Sequence, residues 1–239
     1  VQSISTKNLL CNGFGACTKE DWQNTPNYEY DVGVKLYCTG SESCMWNTFN
    51  VGKMTSCDGY RSCYGNRING GNSVTCSGYY SCNWAFISAQ NNKFVLCSGR
   101  WSCINAIIRS TQDLRLYGQY AAQEARIVGV KLIRAYAGHS LYMAKIDSDN
   151  KPEMTVRLYI GGNTDAEIIC RSASVCNVEC KSNGCAQVSY KCETGATCNI
   201  TPNGCKFDNS VSAINGIGCP TFSTADSFGV EALDLTQIK

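Results

Sequence analysis

The chain repeats one short phrase in which two cysteines enclose five residues, with glycine third and usually serine sixth. Four copies read CTGSESC, CDGYRSC, CSGYYSC and CSGRWSC and begin at Cys38, Cys57, Cys76 and Cys97. An earlier copy, CNGFGAC, begins at Cys11. The first cysteines of the four copies are 19, 19 and 21 residues apart. A period near 20 residues is typical of one rung of a solenoid, which buries its apolar face only against neighbouring rungs.

Apolar residues at fixed distances from the cysteines predict two short strands in each rung. The residue two before the first cysteine is usually apolar: Leu36, Val74 and Val95. The residue five after the second cysteine is Phe49, Ile68, Ile87 and Ile108. We therefore predict a strand, a tight loop, a second strand and a variable return loop. We expect the loop glycines to supply a positive φ: Gly40, Gly59, Gly78 and Gly99. Ser77 and Asn83 are expected to face outward.

The pattern continues after its cysteines disappear. Nineteen residues beyond Cys97 lies Leu116, and Ala122 then occupies the position of the second cysteine. In the following rung the two positions hold Ala135 and Leu141. A catalytic thiol or a metal ligand would not be exchanged for leucine or alanine, so the paired cysteines are predicted to face inward and to bond to each other.

The predicted disulfides are therefore local. They are Cys11–Cys17, Cys38–Cys44, Cys57–Cys63, Cys76–Cys82, Cys97–Cys103, Cys170–Cys176 and Cys192–Cys198. For the remaining cysteines we favour Cys180–Cys185 and Cys205–Cys219. An even set of 18 cysteines in regular pairs is typical of an oxidising compartment, because cytosolic thiols are kept reduced.

We predict an all-β fold, a parallel β-helix or solenoid with roughly 19–21 residues per rung, disulfides within rungs and a disulfide-rich C-terminal end. Residues 1–35 are expected to form an N-terminal cap with the first cysteine loop, and residues 36–160 the regular solenoid. We interpret residues 161–222 as degraded rungs of the same solenoid or a cap, because the phrase persists at Cys170 and Cys192. A separate small domain is the alternative. Residues 223–239 form a cysteine-free tail.

Composition limits the location and the partners. The net charge is only +2, which argues against a nucleic-acid partner, since such proteins carry a basic face. No apolar run reaches the roughly 18–20 residues that a membrane-spanning helix needs, so no membrane span is expected. The sequence is expected to begin after a removed signal peptide and to belong to a secreted or cell-surface protein.

Motifs for catalysis are weak. The single histidine, His139, lies in a predicted turn, and no nucleotide-binding loop or zinc-protease motif occurs. Asp147, Asp149 and Glu153 were weighed as Ca²⁺ ligands against a solvated turn, but Pro152 stands where the sixth-position glycine of a Ca²⁺ loop is needed. We expect no catalytic residue, no cofactor and no metal.

Two surface features are candidates for binding or modification. Aromatic residues in and after the cysteine loops should align into an aromatic stripe, which we define as Tyr60, Tyr79, Tyr80, Trp84 and Trp101. Tyrosine and tryptophan anchor protein interfaces and stack on sugars, although the rings could instead only cover the disulfides. Asn199-Ile-Thr201 is an acceptor sequence for an N-linked glycan.

The C-x-G-x-x-S-C repeat, followed by Asn or Ala and, two residues later, Phe or Ile, resembles the cysteine-rich β-solenoids of protist secreted and cell-surface proteins. The resemblance is best over about Leu36–Ile108. We expect a non-enzymatic extracellular structural protein that self-associates into a filament or a surface coat. The alternative is a carbohydrate-binding module or adhesin that uses the aromatic stripe on glycans, and a polysaccharide-acting enzyme is less favoured.

Overall fold

The computed structural model describes residues 2–18, 28–88, 94–109, 111–149, 151–159, 165–181, 188–202 and 221–222. The regular elements of these residues are strands. They are β1 (Gln2–Cys11), β2 (Tyr28–Cys38), β3 (Thr48–Val51), β4 (Met54–Cys57), β5 (Arg67–Asn69), β6 (Ser73–Cys76), β7 (Phe86–Ser88), β8 (Phe94–Cys97), β9 (Ile107–Arg109), β10 (Asp113–Leu116), β11 (Arg126–Val128), β12 (Leu132–Ala135), β13 (Lys145–Asp147), β14 (Glu153–Leu158), β15 (Glu167–Cys170), β16 (Val175–Cys180), β17 (Ser189–Cys192), β18 (Thr197–Pro202) and β19 (Thr221–Phe222).

The strands stack in parallel into two columns, as in a β-solenoid. The first column, here the pre-cysteine sheet, contains the second halves of β1 and β2, then β4, β6, β8, β10, β12, β14, β16 and β18. The second, the post-cysteine sheet, contains the first halves of β1 and β2, then β3, β5, β7, β9, β11, β13, β15, β17 and β19. The predicted parallel solenoid is confirmed. Its ladder crosses the predicted boundaries near residues 35 and 160 without a break in pairing.

The core consists of inward columns in which each rung contributes one residue. In the post-cysteine sheet the column is Tyr30, Phe49, Ile68, Ile87, Ile108, Ile127, Ile146, Ile168 and Tyr190, all of them buried. Isoleucine suits this position because a β-branched side chain packs well on its equivalent one rung away. The register also places Leu116 under Cys97 and Ala135 under Leu116, as the 19-residue count predicts.

Disulfides close corners that join the two sheets. Every predicted pair whose cysteines both lie in the described residues is bonded: Cys11–Cys17, Cys38–Cys44, Cys57–Cys63, Cys76–Cys82, Cys97–Cys103, Cys170–Cys176 and Cys192–Cys198. Cys180 is also disulfide-bonded, and its predicted partner Cys185 lies outside the described residues. The predicted Cys205–Cys219 bond and the tail, residues 223–239, lie outside them as well.

The C-terminal disulfides occupy a different corner of the rung from the repeated phrase, which corrects the sequence interpretation. The position of Cys97 continues through Leu116, Ala135 and Leu158 to Cys180. Cys170 instead ends β15 in the post-cysteine sheet, and Cys176 lies in β16 of the pre-cysteine sheet. The Cys170–Cys176 bond therefore spans the return corner, and it resembles the phrase in spacing only.

The phrase glycines do not supply a positive φ, and that expectation is wrong. Left-handed backbone falls instead on other loop residues, among them Arg61, Cys63, Tyr80 and Cys82. Glycine is needed because successive rungs approach closely at this position. A Cβ on Gly78 would lie 2.1 Å from the carbonyl oxygen of Gly59. At Gly40, Gly59, Gly99 and Gly118 a Cβ would lie 2.0–2.2 Å from the carbonyl oxygen of the equivalent glycine in the preceding rung. The hydroxyl of Ser81 in the same loop donates to the Gly78 carbonyl at 2.7 Å, which explains the serine of the phrase.

Of the two residues predicted to face outward, Ser77 and Asn83, one is exposed and one is buried. Ser77 is exposed, as expected. The outward assignment of Asn83 is wrong, because only 8% of the residue is exposed. Its backbone carbonyl accepts a hydrogen bond from the N–H of Gly65. It follows the second cysteine in a turn whose backbone alternates direction, so counting as along a strand assigns it to the wrong face.

Candidate functional site

The aromatic residues of the cysteine loops form one continuous series of ring contacts along the solenoid, some stacked and some edge-on or tilted. Tyr60 stacks on Tyr79 with centroids 5.9 Å apart, and Tyr80 stacks on Trp101 at 5.1 Å. The series then continues from Trp101 to Tyr120 at 6.1 Å and from Tyr120 to His139 at 4.9 Å. We call these six residues the turn ladder: Tyr60, Tyr79, Tyr80, Trp101, Tyr120 and His139.

The turn ladder uses ring faces for contacts within the protein. The Tyr60–Tyr79 pair is inclined by 15° and the Tyr120–His139 pair by 10°, so each ring covers a face of its neighbour. Arg100 covers Trp101 further, with its guanidinium carbon 4.5 Å from the ring centroid. The ring faces that a neighbouring ring or Arg100 covers are not accessible to a sugar. The arrangement therefore suits a rigid ladder better than a platform on which a sugar stacks.

Trp84, a member of the predicted stripe, is not brought into the turn ladder. It follows Cys82 by two residues, has a left-handed backbone and is 58% exposed. Within the described part of the chain it makes no ring contact with the other four stripe residues. The stripe is therefore two features, a self-stacked ladder and one exposed indole.

A second aromatic ladder, on the outer face of the pre-cysteine sheet, was missed by the sequence reasoning. Tyr117, Tyr136 and Tyr159 stack with centroids 4.4 and 4.5 Å apart and planes within 9°. Desolvation raises the pKa of Tyr117 and Tyr159, and for both a hydrogen bond with Tyr136 adds to the shift, so these phenols stay neutral at physiological pH. The signal was available, because each tyrosine directly follows a position that continues the first-cysteine column.

An arginine row runs beside this tyrosine ladder. Arg115, Arg134 and Arg157 are paired in register on β10, β12 and β14. Arg115 binds Asp113 with Nε 2.8 Å from the carboxylate, and Arg157 binds Glu179 at 3.0 Å. The arginines and tyrosines together form a face of guanidinium and phenol groups.

The carboxylates weighed as Ca²⁺ ligands are arranged otherwise. Asp147 is buried and accepts both Nε and Nη2 of Arg171, at 2.9 and 2.6 Å. Nη1 of Arg171 reaches Glu193 at 2.5 Å. The hydrogen bond from Arg171 lowers the pKa of Asp147, partly opposed by desolvation. Both carboxylate oxygens of Asp147 therefore bind an internal cation, an arrangement that does not favour this residue as a Ca²⁺ ligand.

A groove of about 870 Å³ lies beside the first rungs. It is lined in part by Gly33, Gly52 and Gly70. Its polar wall is an amide ladder, in which Asn50 donates to Asp31 at 2.8 Å and Asn69 donates to Asn50 at 3.0 Å. These amides bond to one another along the rungs, so the ladder stabilises the stack.

The first rung leaves part of the core uncovered. Ile4 heads the inward column of the post-cysteine sheet and is 38% exposed, whereas Tyr30 directly below it is 9% exposed and Phe49 is fully buried. Phe14 of the first cysteine loop is 80% exposed. Among the described residues, β1 pairs only with β2, so its other edge is unpaired there.

The disulfides stack from rung to rung, and the glycan acceptor lies on an outer face. The sulfurs of Cys38, Cys57 and Cys63 lie within 4.8 Å of one another, and equivalent groups recur from rung to rung. Because these cysteines are all disulfide-bonded, they do not offer thiolates to a metal. Asn199 is exposed on the outer face of β18, and its amide nitrogen donates to Asn177 at 2.9 Å.

The fold and the bonds define the protein as a disulfide-stapled parallel β-solenoid. Its disulfides indicate an oxidising, non-cytosolic environment. In the part of the chain that the structure describes, no helix is long and apolar enough to cross a membrane. The chain matches no family model, no curated protein and no solved structure in the comparisons made.

Proposed function

We propose that the protein is a non-enzymatic structural protein outside the cell that joins end to end with further copies of itself to build a filament or a coat. The observation that carries this proposal is the uncovered first rung. Ile4 occupies a position that is buried in the rungs below it, and among the described residues no strand pairs with the other edge of β1.

A rung from a second copy would complete this end. An unpaired strand edge has free N–H and C=O groups that template the addition of another strand. Fully burying an isoleucine or phenylalanine side chain is worth about 1.5–3 kcal/mol, and Ile4 and Phe14 still have area to bury. A head-to-tail contact of this kind does not close on itself, so repeated addition produces a fibre.

The internal construction suits a protein that persists outside the cell. Each short disulfide loop is expected to stabilise the fold by about 2–2.5 kcal/mol in the chain-entropy account. The seven disulfides of the described residues and the stacked rings lie along the rod rather than around one cleft. Strength is thereby distributed over the rungs, as a load-bearing or protective role requires.

The test compares assembly of the native protein with that of an Ile4→Lys variant. We expect sedimentation coefficients that rise with protein concentration and filaments in negative-stain micrographs for the native protein. The variant should stay monomeric, because a lysine cannot be buried at the joint without a partner. Met143→Lys is the matched control, since Met143 is 50% exposed on a turn far along the solenoid. A monodisperse native protein, or an Ile4→Lys variant that assembles as well as the control, would reject the proposal.

Carbohydrate binding remains the alternative function, and Trp84 is the residue that favours it. Its indole is exposed and lies outside the self-stacked ladder, so one face is accessible to a sugar ring. A glycan array probed with native protein and with Trp84→Ala tests this directly. Binding lost in Trp84→Ala, by a protein that does not polymerise, would replace the structural proposal.

We propose that Asn199 carries an N-linked glycan, as is common on extracellular proteins. Asn199 lies exposed on a strand, and its sequon is complete. Expression in a eukaryotic secretory host should add glycan mass that Asn199→Gln removes. An unchanged mass in both proteins would show that the site is not modified.

A further inference from the structure

The outer face of the pre-cysteine sheet carries a small grid of residues over three successive rungs. Each rung contributes three outward positions, one from the start of the strand, one arginine and one tyrosine. The rows are Asp113–Arg115–Tyr117, Leu132–Arg134–Tyr136 and Thr155–Arg157–Tyr159. Parallel pairing aligns the arginines into one line and the tyrosines into a second line beside it, with about 4.8 Å between rungs.

The grid has three arginines, and two carboxylates pair with them. Asp113 forms an ion pair with Arg115, with 2.8 Å between Oδ2 and Nε. Glu179 of the next rung forms one with Arg157, with 3.0 Å between Oε2 and Nε. Arg134, in the middle, lies 3.9 Å from the same Asp113 oxygen, and its own row contains leucine rather than an acid. The Arg134 side chain is 26% exposed and its Nε is buried, so an anion from outside would reach the guanidinium through its exposed atoms only.

The tyrosine line adds neutral hydrogen-bonding groups beside these cations. The three rings stack within 9° of parallel, so their hydroxyls form a row along the rod. A phenol can donate to an anionic oxygen and accept from a sugar hydroxyl, while guanidinium binds sulfate and carboxylate in a fork geometry. The face is a line and not a pocket, which suits a polymer that repeats its charges.

We propose that the grid formed by Arg115, Arg134, Arg157, Tyr117, Tyr136 and Tyr159 binds an anionic polysaccharide through its sulfate or carboxylate groups. This site is distinct from the turn ladder and from the open first rung. It would attach the rod along its side to a charged glycan matrix, whereas assembly would use its end. The overall net charge of +2 is too small to hold a polyanion without such a local concentration of cations.

The experiment measures binding to immobilised heparin, as a sulfated probe, and to polygalacturonate, as a carboxylated probe, with dextran as the neutral comparison. Arg134→Gln should weaken binding to the charged probe about 10-fold, the loss expected for one charge-assisted hydrogen bond. The native affinity should fall as salt is raised. The variant should keep its fold, because Arg134 faces outward.

Arg67→Gln is the matched control, with the same change in net charge on the other sheet, where Arg67 packs on Phe86 at 4.7 Å. It should alter binding less than 2-fold. Equal weakening by Arg67→Gln and Arg134→Gln would show a diffuse charge effect and overturn the site.

Absence of binding to both charged polymers at physiological salt would overturn the proposal as well. Binding to phosphatidylserine vesicles but not to the polysaccharides would assign the face to a membrane and also reject it. Binding is measured on the Ile4→Lys variant too, so that failure of assembly and failure of this site are distinguished.

Discussion

Replacing Gly78 by alanine tests the reason for the glycine in every phrase. The new Cβ would lie 2.1 Å from the Gly59 carbonyl oxygen and 2.6 Å from that of Asp58. Non-bonded contact needs about 3.5 Å, so the two rungs would have to separate by more than about 1 Å. The backbone bonds from Ser77 and Gly78 to the Cys57 carbonyl, at 3.1 and 3.3 Å, would then break.

The magnitude follows from these losses. Two buried backbone hydrogen bonds contribute about 1 kcal/mol each, and the packing around the disulfide opens with them. We expect Gly78→Ala to lower the free energy of unfolding by about 3 kcal/mol or more. Gly15→Ala is the control, because Gly15 has a φ of +62° but nothing within 4 Å of its Cβ position. Only the left-handed conformation then opposes alanine, at about 1 kcal/mol.

Guanidinium unfolding followed by far-UV circular dichroism, with disulfides intact, measures both variants. Hydrogen exchange locates the damage, which should appear in the amides of residues 76–79 and of the rung below. If Gly78→Ala costs no more than Gly15→Ala, the close approach between rungs is not the reason for the glycine. The assigned register would then be incorrect.

Four further substitutions probe the core, the outer surface and the internal ion pair. Thr55→Val should raise the free energy of unfolding by about 1 kcal/mol, because the Thr55 hydroxyl is fully buried and has no hydrogen-bond partner, and a destabilised variant would contradict this. Ile108→Ala should cost about 2–5 kcal/mol in chemical denaturation, while Ser77→Ala on the outer surface should change little, and equal effects would show that the faces are misassigned. Asp147, whose pKa is lowered by Arg171, stabilises the fold above its unfolded pKa of about 3.9 and loses this contribution as pH falls below that value. Asp147→Asn should therefore flatten the loss of stability measured between about pH 4 and pH 2, and an unchanged acid profile would remove the ion pair from the account.

Much of the architecture could be predicted because a solenoid rung must resemble the rung on which it stacks. Ile87 and Ile108 are chemically alike since each packs on the other, so periodicity alone identified the core column. The local disulfides were equally accessible, because a cysteine pair such as Cys57–Cys63 closes a turn within one rung. Replacement of such a pair by Leu116 and Ala122 preserved the inward positions and revealed them.

The functional surfaces were less accessible, because they depend on side chains from different rungs. The stripe residues Tyr79 and Tyr80 were found from their common place in a loop, but the stacking of Tyr79 on Tyr60 and of Tyr80 on Trp101 could not be read from spacing. Arg134 and Arg157 are 23 residues apart and Arg115 and Arg134 only 19, so a fixed count does not align them. The longer return corner absorbs the difference and restores the register.

By itself the sequence determined the period, the inward columns and the local cysteine pairs, since these repeat within each rung and follow from burial and short-range geometry. The tertiary structure decided what depends on the distance between rungs. It showed that glycine is needed at Gly78 because the backbones of successive rungs approach closely, that Cys170–Cys176 lies at the return corner, and that Arg134 shares Asp113 with Arg115. The physical reason is that parallel register is set by corner lengths and backbone contacts across rungs, and no single rung contains that information.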